Sequence, residues 1–353
     1  MTALLSFILA ATITPLVIWF YQKHNWLDEP QKNLHVKKTH TESVPRGGGL
    51  VIFSTVLILC LLFLSWDKYL IGIMLGALIL AVIGFLDDIY NIHPGVRLVA
   101  GFLVAGIVVG VGIGIAYISN PFGEGVIHLN QPQIPIFLFG KTRTIWVLAD
   151  LFALIFIVWN MNIVNWSKGV DGQMSGFVAI ALVMIAALSQ QFGDDPTQFN
   201  TTLLALIVAG TFGGLTLWNF YPQKIMPGYG AGSLAGYFIA VLAILSGAKV
   251  AASLMILAIP TADAIFTIGR RLVAGKSPFW GDRGHLHHKL MDILGWGRRR
   301  IALFYWLTSL GLGVLSLYLS TQGKLITIGL VTSTVFGFLI WAKLQQIRKT
   351  ITK

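Results

Sequence analysis

The stretch NMNIVNWSKGVDGQ, from Asn160 to Gln173, places three asparagines, a lysine and an aspartate between two long apolar segments. The fifteen residues before it are almost wholly apolar, and the chain becomes apolar again after it. About 20 apolar residues in helical conformation cross the hydrocarbon core of a bilayer. We therefore interpret the stretch as a polar loop between two membrane-spanning helices, predicted over 145–164 and 174–190.

The rest of the chain repeats this pattern. Hydrophobic residues make up 56% of the 353 residues, charged residues make up 11%, and the mean hydropathy is +0.77, well outside the range of soluble domains. Further spans are predicted over 2–21, 47–66, 69–86, 97–118, 201–218, 230–247, 250–268, 301–320 and 324–342. The predicted fold is all-α, a polytopic membrane helical bundle of about eleven helices that forms one domain over residues 1–353.

The positions of the basic residues predict the orientation. Alternate loops and the C-terminal tail carry 20 of the 25 Lys and Arg residues, and a basic excess is typical of cytoplasmic loops. An odd number of helices puts the termini on opposite sides. We predict a multi-pass protein of the plasma membrane with its N-terminus outside and its C-terminus cytoplasmic. The formal charge of +11 then reflects topology and anionic lipid, and requires no nucleic-acid partner.

Two further features bear on processing and on the outside surface. The first apolar run has no Ala-x-Ala cleavage site and is expected to remain as a helix. Cys60 is the only cysteine, so one chain can form neither a disulfide nor a cysteine metal site. The segment 119–144 is predicted to be an outside loop, with a short hairpin within VIHLNQPQIPIFLFG, residues 126–140.

The first loop on the basic side is LDEPQKNLHVKKTHTESVPRGGGL, residues 27–50. Its glycines would let backbone amides approach an anion. Lys37, Lys38, His40 and Arg46 would add positive charge. A phosphate site is one interpretation of this loop, and an ordinary basic topology signal is the other.

The next loops add carboxylates and amides. Asp87 and Asp88, in GFLDDIYNIHPGVRL, are predicted where a helix leaves the membrane. Two adjacent carboxylates are costly there unless a cation or water compensates them. Asn162 and Asn165 share one helix face, and with Asp171 they offer oxygens to a hard cation or hydrogen bonds to a sugar. A solvated helix end and amide pairing between helices are the alternatives.

The last long loop, RRLVAGKSPFWGDRGHLHHKL, is rich in positive charge and imidazole. These groups belong to Arg270, Arg271, Lys276, Arg283, His285, His287 and His288. The His-x-His-His pattern is compatible with a transition-metal cluster. Since the surrounding cations would repel a metal ion, we favour a site that binds a diphosphate.

Paired carboxylates, amides and a His/Arg cluster on one side of a membrane bundle indicate magnesium-assisted phosphoryl transfer to or from a lipid. The motifs resemble those of the polyprenyl-phosphate N-acetylhexosamine-1-phosphate transferase family, in its undecaprenyl-phosphate GlcNAc-1-phosphate transferase branch. Phospho-MurNAc-pentapeptide transferases are related members. The resemblance rests on KKTHTESVPRGGGL, FLDDIYNIHPGVRL and SPFWGDRGHLHH, which occur in the family's order.

This resemblance implies transfer of N-acetylhexosamine 1-phosphate from a UDP-sugar to polyprenyl phosphate, with release of UMP, in cell-envelope glycan synthesis. It also implies Mg²⁺, or Mn²⁺ in its place, an active site on the cytoplasmic face, and leaves a homodimer open. Asp87 and Asp88 match the family's catalytic carboxylates, and Asp88, Asn165 and Asp171 are the candidate metal ligands. The candidate substrate-binding residues are Lys38, His40, Arg46, Asn162, Lys168, Arg283, His285, His287 and His288. Asp263 is expected to pair with a nearby cation.

Two positions depart from the family's pattern. Lys168, in KGVDG, replaces the first Asp of Asp-Gly-x-Asp-Gly, and Tyr229, or Gly230 in a second alignment, replaces a metal-ligand Asp. A neutral tyrosine is a poor Mg²⁺ ligand. One hypothesis is a transferase in which Lys168 supplies part of the metal's charge. The second is a non-catalytic binding homologue, and the third is a transporter, which the expected absence of a broken helix disfavours.

Overall fold

The structure is a computed structural model that describes residues 1–29, 42–121, 123–138, 141–191, 197–247, 250–278 and 282–351. The helices are α1 (Thr2–Lys23), α2 (Gly48–Phe63), α3 (Lys68–Tyr90), α4 (Pro94–Gly110), α5 (Val147–Trp166), α6 (Gln173–Gln190), α7 (Thr197–Asn219), α8 (Gly228–Leu245), α9 (Val250–Ile256), α10 (Ala258–Val273), α11 (Leu286–Leu294), α12 (Arg298–Tyr318) and α13 (Thr321–Ile351). The strands are β1 (Leu27–Asp28), β2 (Val44–Pro45), β3 (Tyr117–Ser119), β4 (Val126–His128), β5 (Gln133–Leu138) and β6 (Lys141–Trp146).

Each predicted span coincides with a helix or a helix pair. In the part of the chain that the structure describes, eight helices are long and apolar enough to cross a bilayer, and α9 with α10 forms a ninth candidate. The apolar helices α2 and α4 are shorter, with 16 and 17 residues. The polytopic helical bundle is therefore confirmed, while the number of eleven spans and the orientation stay predictions.

The ninth span is broken, so the expectation of unbroken spans was wrong. The axes of α9 and α10 differ by 80°, and Leu257 lies between the two helices. Pro260 explains the break, because proline has no N–H to bond the carbonyl four residues earlier and its ring crowds that carbonyl. Proline is tolerated in the first turn of a new helix, which is where α10 places it.

The predicted hairpin within residues 126–140 was wrong in its pairing. Strand β4 pairs with β3, so that Tyr117 lies opposite His128. Strand β5 pairs with β6, so that Gln133 lies opposite Trp146. The sequence signal correctly marked strands between α4 and α5, but each strand has its partner outside the predicted segment.

Helix α8 is at the centre of the bundle, and its residues from Gly228 to Ile244 are all buried. The backbone of α8 lies in close contact with the backbones of α2 and α3. A Cβ on Gly49 of α2 would lie 2.8 Å from the Cα of Gly230, and a Cβ on Gly84 of α3 would overlap the same residue. This close packing brings the C-terminal end of α3 against the N-terminal end of α8.

The glycines at the start of α2 therefore serve helix packing, while their predicted approach to an anion stays a prediction. Gly48 faces the backbone of Pro227, and its N–H donates to the Met226 carbonyl at 3.1 Å. Gly47 faces the side chains of Val17 and Tyr21.

Candidate active site

The carboxylate pair occupies the last turn of α3. The buried Asp87 accepts two hydrogen bonds from Arg97 Nη1, at 3.1 and 3.3 Å. Asp88 accepts one from the Tyr21 hydroxyl at 3.0 Å. The second oxygen of Asp88, Oδ1, is buried and has no hydrogen-bond partner among the described residues. The two carboxylates therefore have different surroundings, since one is held by a cation and the other keeps an unused oxygen.

Arg97, in the first turn of α4, connects Asp87 to Tyr229. The guanidinium lies 5.1 Å from the centre of the Tyr229 ring, within the range of a cation–π interaction. The Tyr229 hydroxyl donates to the Arg97 carbonyl at 3.2 Å. Tyr229 thus acts as a donor and a support for Arg97. Arg97 was not predicted as a site residue, although it lies ten residues after Asp87 in the motif FLDDIYNIHPGVRL.

Lys168, in the loop between α5 and α6, reaches the same place from another side. Its ammonium donates a short hydrogen bond to the Gly228 carbonyl at the start of α8. A Cβ on Gly228 would lie 2.5 Å from Asp88 Oδ1, and Gly228 has a φ of +65° that favours glycine. Burial lowers the pKa of Lys168 to about 7, although Asp87 and Asp88 both act to raise it.

Arg46, which lies between β2 and α2, is the third cation near the carboxylate pair. It pairs with Asp28 at 2.8 Å and donates to the Asn91 side chain at 2.7 Å. The cations of Arg46, Arg97 and Lys168 thus come from two loops and the first turn of α4 to one pair of carboxylates. Lys38 and His40, the other candidates of the first loop, and Lys37 beside them, lie outside the described residues.

The candidate ligands at the end of α5 and in the loop between α5 and α6 do not all face the carboxylate pair. Asn162 donates to the Val158 carbonyl of its own helix at 2.8 Å. Asn165 places its oxygen against Gly232 of α8. Asp171 accepts from the Gln223 N–H at 3.3 Å and from Arg298 at 3.4 Å.

These side chains allow a test of fit for a divalent cation. Asp88, Asn165 and Asp171 each have one buried oxygen that finds no hydrogen-bond partner in the described ranges, and such oxygens suit Mg²⁺. Over the same residues, no group of three His, Cys, Asp or Glu side chains is arranged to hold a metal. Lys168 and Arg97 also add positive charge beside the carboxylates. The chemistry of the oxygens fits Mg²⁺, but the surrounding charge favours weak binding.

His285 is part of a chain of polar contacts. Its Nδ1 lies 2.9 Å from Asp263 Oδ2, and its Nε2 lies 3.3 Å from Arg271 Nη2. Because arginine can only donate, Nε2 accepts from Arg271 and Nδ1 donates to Asp263. Asp263 also accepts the Leu286 N–H at 2.8 Å. The partner of Asp263 is therefore His285, and both ring nitrogens of His285 already have partners, Asp263 and Arg271.

His287 and His288 are buried and neutral. Burial, followed by the neighbouring His288, His285 and Arg283, holds the pKa of His287 well below its ordinary value. Burial likewise lowers the pKa of His288 to about 4. A Cβ on Gly169 would overlap the His287 ring, so the histidine loop packs directly on the loop of Lys168. These histidines offer hydrogen bonds rather than charge to a ligand.

The arginines of this loop contact carboxylates. Arg270 and Arg271 both bond Asp282, and Arg283 bonds Asp292 at 2.7 Å. Burial opposes the ionisation of Asp282, but hydrogen bonds from Arg270 and the Gly284 N–H lower its pKa to about 2. Much of the positive charge of the loop is therefore balanced internally. The role of this loop in binding a diphosphate stays a prediction.

Comparison with known proteins identifies the family. Residues 70–247, which are 178 of the 353 residues, match the family model described as glycosyl transferase family 4. The chain belongs to glycosyl transferase family 4. The matched range includes the carboxylate pair, the loop of Lys168 and all of α8.

Three relatives agree with the resemblance drawn from the motifs. A probable undecaprenyl-phosphate N-acetylglucosaminyl 1-phosphate transferase of Bacillus subtilis (strain 168) is 28% identical over 82% of this chain and 76% of its own. A decaprenyl-phosphate N-acetylglucosaminephosphotransferase of Mycolicibacterium smegmatis is 25% identical over 82% and 75%. A phospho-N-acetylmuramoyl-pentapeptide-transferase of Geobacillus sp. (strain WCH70) is 27% identical over 90% and 96%. The predicted family is thus confirmed.

Proposed function

We propose that this family 4 protein transfers N-acetylhexosamine 1-phosphate from a UDP-sugar to polyprenyl phosphate, with release of UMP, in cell-envelope glycan synthesis. The observation that carries the proposal is the pair of the buried Asp87 and the half-buried Asp88 at one end of the bundle, surrounded by Arg97, Lys168 and Arg46. The relatives support it, because all three are named as phosphosugar transferases. A non-catalytic homologue is not favoured for the same reason, and membership of this family gives no support to a transporter.

The reaction brings two anions together. An oxygen of polyprenyl phosphate attacks the phosphorus that carries the sugar, and the bond from this phosphorus to the bridging oxygen breaks to release UMP. A phosphate monoester is already mostly dianionic at neutral pH, so a base contributes little. Neutralising the phosphate charge contributes more.

Asp87 and Asp88 meet this need by holding cations in place. Asp87 fixes the direction of Arg97 through two hydrogen bonds. Asp88, oriented by Tyr21, lies in the field of Lys168 and Arg46. The neutral His287 and His288 would add hydrogen bonds to the donor from the adjoining loop.

Mg²⁺, or Mn²⁺ in its place, is part of the proposal as a weakly bound ion. The unpartnered oxygens of Asp88, Asn165 and Asp171 would hold it. When bound, it supplies positive charge to the diphosphate. The active site would lie on the cytoplasmic side of the plasma membrane, where the nucleotide donor is available.

The test is to incubate the purified protein with UDP-GlcNAc, undecaprenyl phosphate and Mg²⁺ and to measure UMP. Asp87→Asn and Asp88→Asn should each lower turnover at least about a hundredfold, because each removes a charge that orients cations at the phosphates. Asp67→Asn is the matched control, since Asp67 caps the opposite end of α3 through the Leu70 N–H. Near-normal turnover in both site variants would remove the carboxylate pair from the mechanism.

A further inference from the structure

Lys168 has an unusual position for a lysine. It lies in the loop that joins two membrane-spanning helices, and its ammonium is fixed by the Gly228 carbonyl. Asp87 and Asp88 both attract the ammonium, whereas Arg97 and Arg46 repel it. In its protonated form, Lys168 therefore places a positive charge beside the carboxylates before any ligand arrives.

A divalent cation would compete with this charge. An ion on the free oxygen of Asp88 would lie near Gly228, because a Cβ on Gly228 would be 2.5 Å from that oxygen. The Lys168 ammonium is bonded to the same residue. Like charges this close repel each other strongly in a partly buried site. The carboxylates therefore cannot attract the ammonium and also bind a divalent ion tightly.

We propose that the Lys168 ammonium is a built-in cation of this active site, which weakens divalent-cation binding and neutralises substrate phosphate so that transfer continues without a bound metal. The chemistry of lysine suits this role. An ammonium on a flexible stem can move from a carbonyl to a phosphate, which it binds as a point charge. The catalytic part of this inference rests on the proposed transferase function, but the effect on metal binding does not.

Metal binding gives the first test and requires no substrate. Mn²⁺ binding to the purified protein, followed by electron paramagnetic resonance, should be weak in the wild type. At pH 6, below the pKa of about 7 of Lys168, Lys168→Met should bind Mn²⁺ about tenfold more tightly than the wild type, because a neighbouring positive charge has been removed. The double variant Lys168→Met/Asp88→Asn should lose this gain. Equal affinities in the wild type and Lys168→Met would overturn the inference.

Lys224→Met is the control for net charge. It removes one positive charge from the chain, but its ammonium packs over Trp218, 5.5 Å from the ring centre. Mn²⁺ affinity should stay at the wild-type value in this variant. A gain as large as that of Lys168→Met would show a general charge effect and would also overturn the inference.

Chelation gives the second test. With EDTA present, the wild type should still release UMP, whereas Lys168→Met should lose at least about a hundredfold of that rate and recover part of it with added Mg²⁺. Loss of all wild-type transfer in EDTA would overturn the catalytic part of the inference. Absence of UMP from the wild type under every condition, with and without Mg²⁺, would instead overturn the proposed function, and the Mn²⁺ measurement would still decide whether Lys168 excludes metal.

Lys168→Arg separates charge from anchoring of the loop. If Lys168 only anchors its loop to Gly228, the Lys168→Met variant should have a lower melting temperature and an unchanged Mn²⁺ affinity. If the positive charge is what weakens Mn²⁺ binding, the Lys168→Arg variant should still bind Mn²⁺ weakly. Tight Mn²⁺ binding by Lys168→Arg would contradict the electrostatic account.

Discussion

Arg97 depends on an aromatic ring for its position. Its guanidinium bonds Asp87 on one side and lies over the Tyr229 ring, while the Tyr229 hydroxyl donates to the backbone carbonyl of Arg97. The resemblance to the family's pattern predicts a metal-ligand aspartate at Tyr229, or at Gly230 in the second alignment. In the structure Tyr229 supports Arg97 and offers no carboxylate to a cation, which is consistent with a site that relies on fixed cations.

Two substitutions at Tyr229 separate the ring from the hydroxyl. Tyr229→Phe should keep kcat/KM for UMP release within about threefold, because it loses one hydrogen bond of modest strength. Tyr229→Leu should lower it about tenfold, because Arg97 loses the ring that holds it over Asp87. An equal loss in both variants would show that the hydroxyl, and not the ring, is the important group.

The motifs located the charged residues but not their partners. Asp87, Asp88, Lys168 and Arg46 were all recognised from the sequence, and the structure brings them together at one end of the bundle. Arg97 was missed because a basic residue after a membrane span is usually a topology signal. The partners of Asn162 and Asp171 depend on side-chain direction and on contacts with α12 and the loop before α8, which sequence spacing does not specify.

Among the helices, the position of the carboxylates depends on α2, α3 and α8, which contact one another through glycine residues. Gly84 of α3 and Gly49 of α2 both face Gly230 of α8. Gly84 is one turn before Asp88, so its distance from α8 determines the distance from the carboxylates to Gly228.

Gly84→Ala should therefore disturb both stability and activity. Its added methyl group would overlap the Gly230 backbone, and overpacking of this kind costs about 1–3 kcal/mol. We expect a lower melting temperature in detergent and a loss of UMP release, because α3 must move away from α8. Gly106→Ala in α4 is the control, since no atom lies within 4 Å of the added carbon. If both variants behave like the wild type, the close contact is not what positions the carboxylates.

Hydrophobic length predicted where the helices lie, but not how they bend or touch. The apolar run from Val250 onward is continuous in hydropathy, so Pro260 was not recognised as the start of a second helix at 80°. Gly47, Gly48 and Gly49, at the start of α2, were interpreted as an anion-binding segment or an ordinary loop, and they also pack against neighbouring helices because glycine allows either role. The packing role becomes visible only when the neighbouring helix is known. That helix is α8, which is distant in the sequence.

In the whole molecule, the polar groups of the candidate active site lie together at one end of the helical bundle. Tyr21, Arg46, Asp88, Lys168 and Gly228 come from the ends of five different membrane helices or their adjoining loops, and they contact one another directly or through a shared neighbour. The histidine loop joins this end through His287 and Gly169. A reaction between a membrane lipid and a soluble nucleotide requires such an arrangement, because the two substrates approach from the bilayer and from water.

The side of the membrane on which this end lies is a prediction that single cysteines can test. Cys60 is buried, so it should not react, and single cysteines can be added to the wild-type chain. Lys276 and Ser43 are exposed near the site, and Glu124 is exposed in the segment between α4 and α5. Since the basic excess places the site in the cytoplasm, an impermeant maleimide should label Glu124→Cys in intact cells and Lys276→Cys and Ser43→Cys only after permeabilisation. The unsubstituted chain should stay unlabelled in both conditions and is the control for Cys60. Labelling of Lys276→Cys in intact cells, with protection of Glu124→Cys, would place the site outside, where a UDP-sugar donor is not supplied, and would contradict both the orientation and the proposed reaction.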